Sequence, residues 1–229
     1  MYELHIANKN YSSWSLRPWV LMRELNIGFE ERVMRFGDEP AWERFRKISP
    51  SGKVPCLVDG ATVVWDSLAI AEYLGERHAV WPRETAPRAW ARSAAAEMHS
   101  GFGELRSRCS MSCGQRVTLK EMPAALTQEI ARVDALWSEG LKRFGGPYLA
   151  GGSFTAADAF YAPVVFRVNT YGLALGPAAA AYAARVLTLG SMKSWYADAL
   201  RETFRDEPHE RDILLAGTVT EDLRTPASE

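Results

Sequence analysis

Apolar positions keep one spacing up to about residue 80 and another beyond it. Tyr2–Ala7 alternates apolar and polar and predicts a first strand. Asn8–Ser13 is polar and turn-rich, and Ser15–Asn26 places Leu16, Trp19, Val20, Leu21 and Leu25 at helical spacing. Pro18 falls in the first turn of that helix, where a missing N–H costs little. Phe29–Met34 predicts a second strand and Trp42–Ile48 a short helix or irregular turn. Cys56–Val58 and Thr62–Trp65 predict two short strands joined at Asp59-Gly60, a strong hairpin dipeptide. Asp66 and Ser67 then stand where a helix opens, since both accept backbone N–H bonds there. Beyond the prolines of Val80–Pro87 the spacing is almost wholly helical: Trp90–Ser112, Pro123–Phe144, Thr155–Tyr171, Ala178–Leu189 and Met192–Arg201. Residues 206–229 are polar with scattered apolar positions and predict a loosely held tail.

The order β-α-β-α-β-β-α is that of a thioredoxin-type unit. The expected fold is therefore an α/β thioredoxin-like N-terminal domain over residues 1–80, then an all-α helical bundle over residues 87–205.

The stretch Ser51–Leu74 holds the most specific chemistry. Pro55 follows Val54 at the very start of a strand, where it cannot donate to a ladder. If that bond is cis, Val54 turns its own N–H and C=O outward, to pair with an extended peptide alongside. The helix opening at Asp66-Ser67 offers free N–H groups and a partial positive charge, which suit a carboxylate. Thr155-Ala156-Ala157-Asp158 is a second mark, a reciprocal N-cap in front of a strongly apolar helix, preceded by Tyr148-Leu149-Ala150-Gly151-Gly152.

The pattern V-P-x-L-x-D-G followed by D-S-x-A-I-x-E-Y-L resembles the glutathione-binding half of the glutathione S-transferase family. The Y-L-x-G-G loop and the T-x-x-D box resemble the opening of the central helix in that family's C-terminal domain. The likeness extends over roughly residues 2–202. It implies a cis Pro55, with Val54 pairing with the cysteinyl part of glutathione and Asp66 and Ser67 holding its γ-glutamyl group. It also implies a homodimer.

Composition narrows the alternatives. The chain has 229 residues, 47% of them hydrophobic and 24% charged, enough for a packed core. A net charge of −1 argues against nucleic acid as the main partner, since phosphate neutralisation needs a basic surplus. No apolar run approaches the roughly 20 residues of a membrane span, and the N-terminus does not read as a secretory signal. Three cysteines without framework spacing fit a reducing, cytoplasmic setting.

Substitution by glutathione requires its thiolate. Lowering a thiol pKa from about 8.5 by about two units takes roughly 2.7 kcal/mol. One hydroxyl donating to the sulfur supplies about 1.5–3 kcal/mol, so no metal or histidine base is needed. Tyr11-Ser12-Ser13-Trp14-Ser15-Leu16-Arg17 resembles the S-S-C-S-x-R of zeta-type transferases and the S-P-F-S-x-R of the tau type. That alignment puts the activating hydroxyl on Ser12, with Ser13 and Tyr11 as alternatives. Trp14 departs from both patterns. Ser15 reads as a helix N-cap and Arg17 as a member of a structural ion pair. Lys53 is placed to reach the glycyl carboxylate, with Trp42 and Phe45 near it. Met98, Phe102, Leu105, Arg106, Cys109 and Met111 are the expected lining of a pocket for a small hydrophobic electrophile, and Arg106 is able to hold an acidic group there. Cys109 and Cys113 are four apart, but no second His or Cys pair completes a metal site.

Three functions follow as expectations. The first is a glutathione transferase with Ser12 stabilising the thiolate. The second is a ligand-binding or interaction protein of the same fold without turnover, as in stringent-starvation-type relatives. The third is a zeta-like glutathione-dependent cis-trans isomerase, against which Trp14 counts.

Overall fold

The computed structural model describes residues 1–36 and 41–227, and the backbone alone of residues 41, 42 and 44. The N-terminal unit runs β1 (Tyr2–Ile6), α1 (Ser13–Glu24), β2 (Phe29–Val33), α2 (Ala41–Ile48), β3 (Cys56–Asp59), β4 (Thr62–Val64) and α3 (Ser67–Gly75). Its sheet has the order β2-β1-β3-β4. β1 is parallel to β2 and antiparallel to β3, and β3 is antiparallel to β4. This is the expected thioredoxin-like arrangement. The hairpin turns at Gly60, whose φ of 60° lies in the region glycine occupies without strain.

The second unit is a helical bundle: α4 (Thr85–Ser100), α5 (Gly103–Arg108), α6 (Ala124–Phe144), α7 (Ala156–Tyr171), α8 (Pro177–Leu187), α9 (Gly190–Arg201) and α10 (Glu207–Ala216). α7 is its axis, buried along nearly its whole length. It packs against α1 of the first unit and against α4, so one hydrophobic core runs through both units.

The box that opens α7 is present. Asp158 Oδ2 accepts from the Thr155 N–H at 2.9 Å and from the Thr155 hydroxyl at 3.1 Å. Its Oδ1 accepts from Leu149 N–H at 2.9 Å and Tyr182 Oη at 3.0 Å. Burial raises the Asp158 pKa to about 6 in spite of these four donors. The loop before it turns close on itself: a Cβ at Gly146 would stand 1.8 Å from the Gly151 carbonyl oxygen, so no larger residue fits.

Two expectations fail here. Trp90–Ser112 is not one helix. α4 ends at Ser100, Phe102 takes a left-handed φ of 58°, and α5 restarts at Gly103. Cys109 and Cys113 therefore lie beyond α5 and do not share a helical face. Nor is the C-terminal segment loosely held. After α10 it forms β6 (Gly217–Asp222), antiparallel to β5 (Gln115–Leu119).

Arg224 fastens this ribbon to the N-terminal unit. Its side chain is 2% exposed. It donates to Glu210 Oε1 at 2.6 Å and Oε2 at 3.0 Å. It also donates to Asp222 Oδ2 at 2.6 Å and Oδ1 at 2.8 Å, and to Tyr11 Oη at 3.0 Å. Bidentate arginine–carboxylate pairs of this kind are among the stronger polar contacts in proteins.

Candidate functional site

The loop between β1 and α1 is pinned from the helical side. Glu202 accepts from Lys9 N–H at 2.6 Å and Asn10 N–H at 3.1 Å, and Trp195 Nε1 donates to Lys9 O at 2.8 Å. Lys9 Nζ pairs with Glu31 at 2.8 Å and Asp198 at 2.6 Å. Tyr11-Ser12 thus enters α1 from a fixed origin, where the two units meet.

Beside it is a cleft of about 750 Å³, the size of a small-molecule site. Ser12, Ser13, Lys53 and Val54 line it together, with Tyr11 and Trp14. Phe45 lines it too, while the side chain of Trp42 lies outside the described residues. Opposite them stand Arg106, Ser107, Ser110, Met111, Arg167 and His209.

Ser12 occupies the N-cap position of α1, but its hydroxyl makes no capping bond. It bonds instead to Ser15 Oγ at 2.7 Å, and Ser15 Oγ accepts from Ala7 N–H at 3.1 Å. Ser15 is fully buried within α1 and is not the N-cap expected from its position.

The Val54–Pro55 peptide is cis. The ladder between β1 and β3 ends at the pair His5–Cys56, so Val54 lies outside it. Pro55, Asp66 and Ser67 do not line the cleft. Asp66 caps α3, its Oδ1 accepting from Leu68 N–H at 2.9 Å, and its Oδ2 is 3.4 Å from His99 Nε2. Ser67 is buried and its Oγ accepts from Arg17 Nη1 at 3.4 Å.

Arg17 is not the ion-pair partner expected. Its guanidinium is stacked between Trp14, at 4.1 Å, and Phe160, at 4.9 Å. Burial, with Arg106 and Arg167 nearby, brings its pKa down to about 9, still ionised at neutral pH.

Tyr11 is spoken for. Its hydroxyl donates to Glu210 Oε1 at 2.6 Å and accepts from Arg224. Burial and the Glu210 bond push its pKa well above the usual phenol value. A phenol so engaged is a poor donor to a ligand sulfur.

Of the expected lining, Arg106 and Met111 are on the cleft. Met98, on the buried face of α4, and Phe102, Leu105 and Cys109, at and beyond the break, are core residues instead. Sequence reasoning missed Arg167 and His209. Arg167, a charge in the apolar run of α7, was a readable signal. His209 lay in the segment taken for a tail. It is stacked on Tyr11 and Phe36 at ring-centre distances of 5.1 and 5.4 Å, with Nδ1 bonded to Asp206.

Among the described residues no group of three or more His, Cys, Asp or Glu is placed to hold a metal ion, and no helix is long and apolar enough to cross a membrane.

Comparison with known proteins agrees with this architecture. Residues 11–77 match the glutathione S-transferase N-terminal domain and residues 88–185 the glutathione S-transferase C-terminal domain. The chain is 31% identical over 221 residues to glutathione S-transferase DHAR2 of Arabidopsis thaliana, covering 89% of this chain and 87% of that one. It is 30% identical over 174 residues to the "Probable maleylacetoacetate isomerase" of Caenorhabditis elegans, covering 72% of this chain and 79% of that one. Among solved structures, the tau-class transferase from mango superposes with a TM-score of 0.69 at 19% identity, over 94% of this chain and 98% of the other. A glutathione transferase homolog from Burkholderia, with bound glutathione, superposes with a TM-score of 0.65 at 21% identity, over 86% and 97%. With both domain families matched in order and relatives aligned over most of their length, the chain belongs to the glutathione S-transferase family.

Proposed function

We propose that the protein is a cytoplasmic, serine-type glutathione transferase, close to the zeta and tau kinds in its N-terminal motif. It joins the glutathione sulfur to a small electrophile. The observation that carries this is the convergence of Ser12, Lys53 and Val54 on one cleft beside the start of α1. Val54, free of the ladder ahead of the cis Pro55, pairs with the cysteinyl backbone. Lys53 is exposed and meets the glycyl carboxylate as a point charge. Asp66 and Ser67 open α3, whose N–H groups receive the γ-glutamyl end.

Ser12 donates to the thiolate sulfur. Ser15, bonded to Ser12, turns its own proton toward Ser12 when Ser12 turns toward sulfur, and so strengthens the donor. The thiolate attacks the electrophilic carbon, a carbon–sulfur bond forms, and the leaving group departs with its electron pair. Ser13 lines the cleft beside it and contributes to holding glutathione. The expected assembly is a homodimer, which light scattering on the purified protein measures.

Retention on immobilised glutathione together with conjugation of 1-chloro-2,4-dinitrobenzene tests the proposal. Retention without conjugation would make the protein a binding module of the same fold. Neither would remove glutathione from the account.

A further inference from the structure

Trp14 is where the chain departs from the motif it otherwise resembles, and the structure shows what it does. Two guanidinium groups lie over its ring, Arg17 at 4.1 Å and Arg106 at 4.5 Å from the ring centre. Arg106 also donates to the His99 carbonyl at 3.2 Å. Arg167, 4% exposed, is fixed by a 2.7 Å bond from Nε to the Cys109 carbonyl. Arg106 and Arg167 both face the cleft, and among the described residues that line it none is acidic.

The carboxylates nearest these arginines are engaged elsewhere. Asp66 caps α3 and meets His99, and Glu129 accepts from the Leu105 N–H at 2.7 Å. Among the described residues no carboxylate lies within 4 Å of Arg17, Arg106 or Arg167, while Arg17 Nε is buried without a partner. Burial pulls Arg106 and Arg167 below the usual arginine range, Arg167 to about 10. Holding cations out of water without a counter-charge is costly. An anionic ligand in the cleft would supply that charge.

We infer that the second substrate is an anion: an electrophile carrying a carboxylate or sulfonate, whose acidic group docks on Arg106 and Arg167 while its reactive carbon faces Ser12. This rests on the proposed glutathione chemistry. The step is unchanged, with a carbon–sulfur bond formed, a carbon–halogen bond broken and halide leaving with the electron pair. What is new is the charge of the acceptor. The Phe36 ring on the same cleft suits a planar body behind that charge.

A matched pair tests it: 4-chloro-3,5-dinitrobenzoate and its methyl ester, each rate divided by its uncatalysed rate with glutathione. The acid should be preferred in kcat/KM by about tenfold or more, the factor one charge-assisted bond commonly gives. Arg106→Gln should cut that preference by about tenfold, and Arg167→Lys, which keeps charge but loses the fork, by less. An ester preference, or a preference that neither substitution moves, overturns the inference. So does a rise in the KM for glutathione with the preference intact, which would assign the arginines to glutathione's own carboxylates.

Unreactive 3,5-dinitrobenzoate, titrated against tryptophan fluorescence without glutathione, separates the two levels. Arg106-dependent binding in a chain that ignores glutathione would sustain the anion site and sink the transferase. Brisk turnover of the ester with the acid refused would do the reverse. If neither compound binds or reacts, both fall.

Discussion

Ser12→Ala removes one hydroxyl, and the structure says how large the effect should be. The Ser12 oxygen is held by the 2.7 Å bond to Ser15, itself buried and anchored to the Ala7 N–H. The oxygen is thus held in place, and its proton, given to Ser15 in the structure, has only to turn to meet a sulfur anion. Its loss forfeits about 1.5–3 kcal/mol of thiolate stabilisation, or about 1–2 units in the pKa of bound glutathione. If the wild-type protein brings that pKa to about 6.5, the thiolate fraction at pH 6.5 falls from about a half to under about a tenth. The assay is ultraviolet absorbance of the thiolate, titrated at saturating glutathione, beside the pH profile of conjugation. The inflection should move up with the pKa while glutathione affinity changes little. Ser15→Ala should raise the pKa less, yet cost about 1–3 kcal/mol of stability, because it orphans the buried Ala7 N–H. An unmoved pKa in Ser12→Ala, or the full shift in Ser13→Ala, would refute the assignment.

Two further outcomes concern the frame around the cleft. Arg224→Met should cost about 1–3 kcal/mol and loosen α10 and β6, since it leaves the partly buried Glu210 without its cation; hydrogen exchange of the β6 amides reads this directly. The Arg224 bonds hold Asp222 below the usual carboxylate range; burial pushes Glu210 up, but the Arg224 and Tyr11 bonds outweigh it and the net shift is down. Folded-state values below the unfolded ones mean that this stability is present above about pH 4.5 and is lost as pH falls through the folded values. Acid should therefore release β6 in the wild type and make little difference in Arg224→Met. Thr155→Ala at the box opening α7 should cost about 1–2 kcal/mol and lower Tm by about 2–8 °C in a scan.

Much of this was legible in the residues, for local reasons. Asp59-Gly60, Asp66-Ser67 and Thr155–Asp158 each fix backbone geometry within a few positions, so the β3–β4 hairpin and the starts of α3 and α7 could be read directly. The stripe of α6 needs only its own periodicity. What escaped depends on distant partners. Polar residues 206–224 acquire order from Tyr11 and β5, which no local pattern signals. The break at Phe102 leaves only Arg106 and Met111 of the expected lining on the cleft, and helical spacing across Trp90–Ser112 gives no warning of it. Arg17 reads as half of an ion pair because isolated arginines usually are, whereas its neighbours are aromatic rings drawn from residues 14 and 160.

The bond between Tyr11 and Arg224 joins positions 213 apart. A ribosome delivers the first of them long before the last. The thioredoxin-like unit can take shape as it emerges, but the floor beneath its serine waits for almost all of the remaining chain to be translated. Nascent protein that has folded only its early part thus carries the Tyr11–Ser13 loop without the carboxylate and the arginine that pin it, and premature termination anywhere before Arg224 would leave the Tyr11 hydroxyl without that arginine.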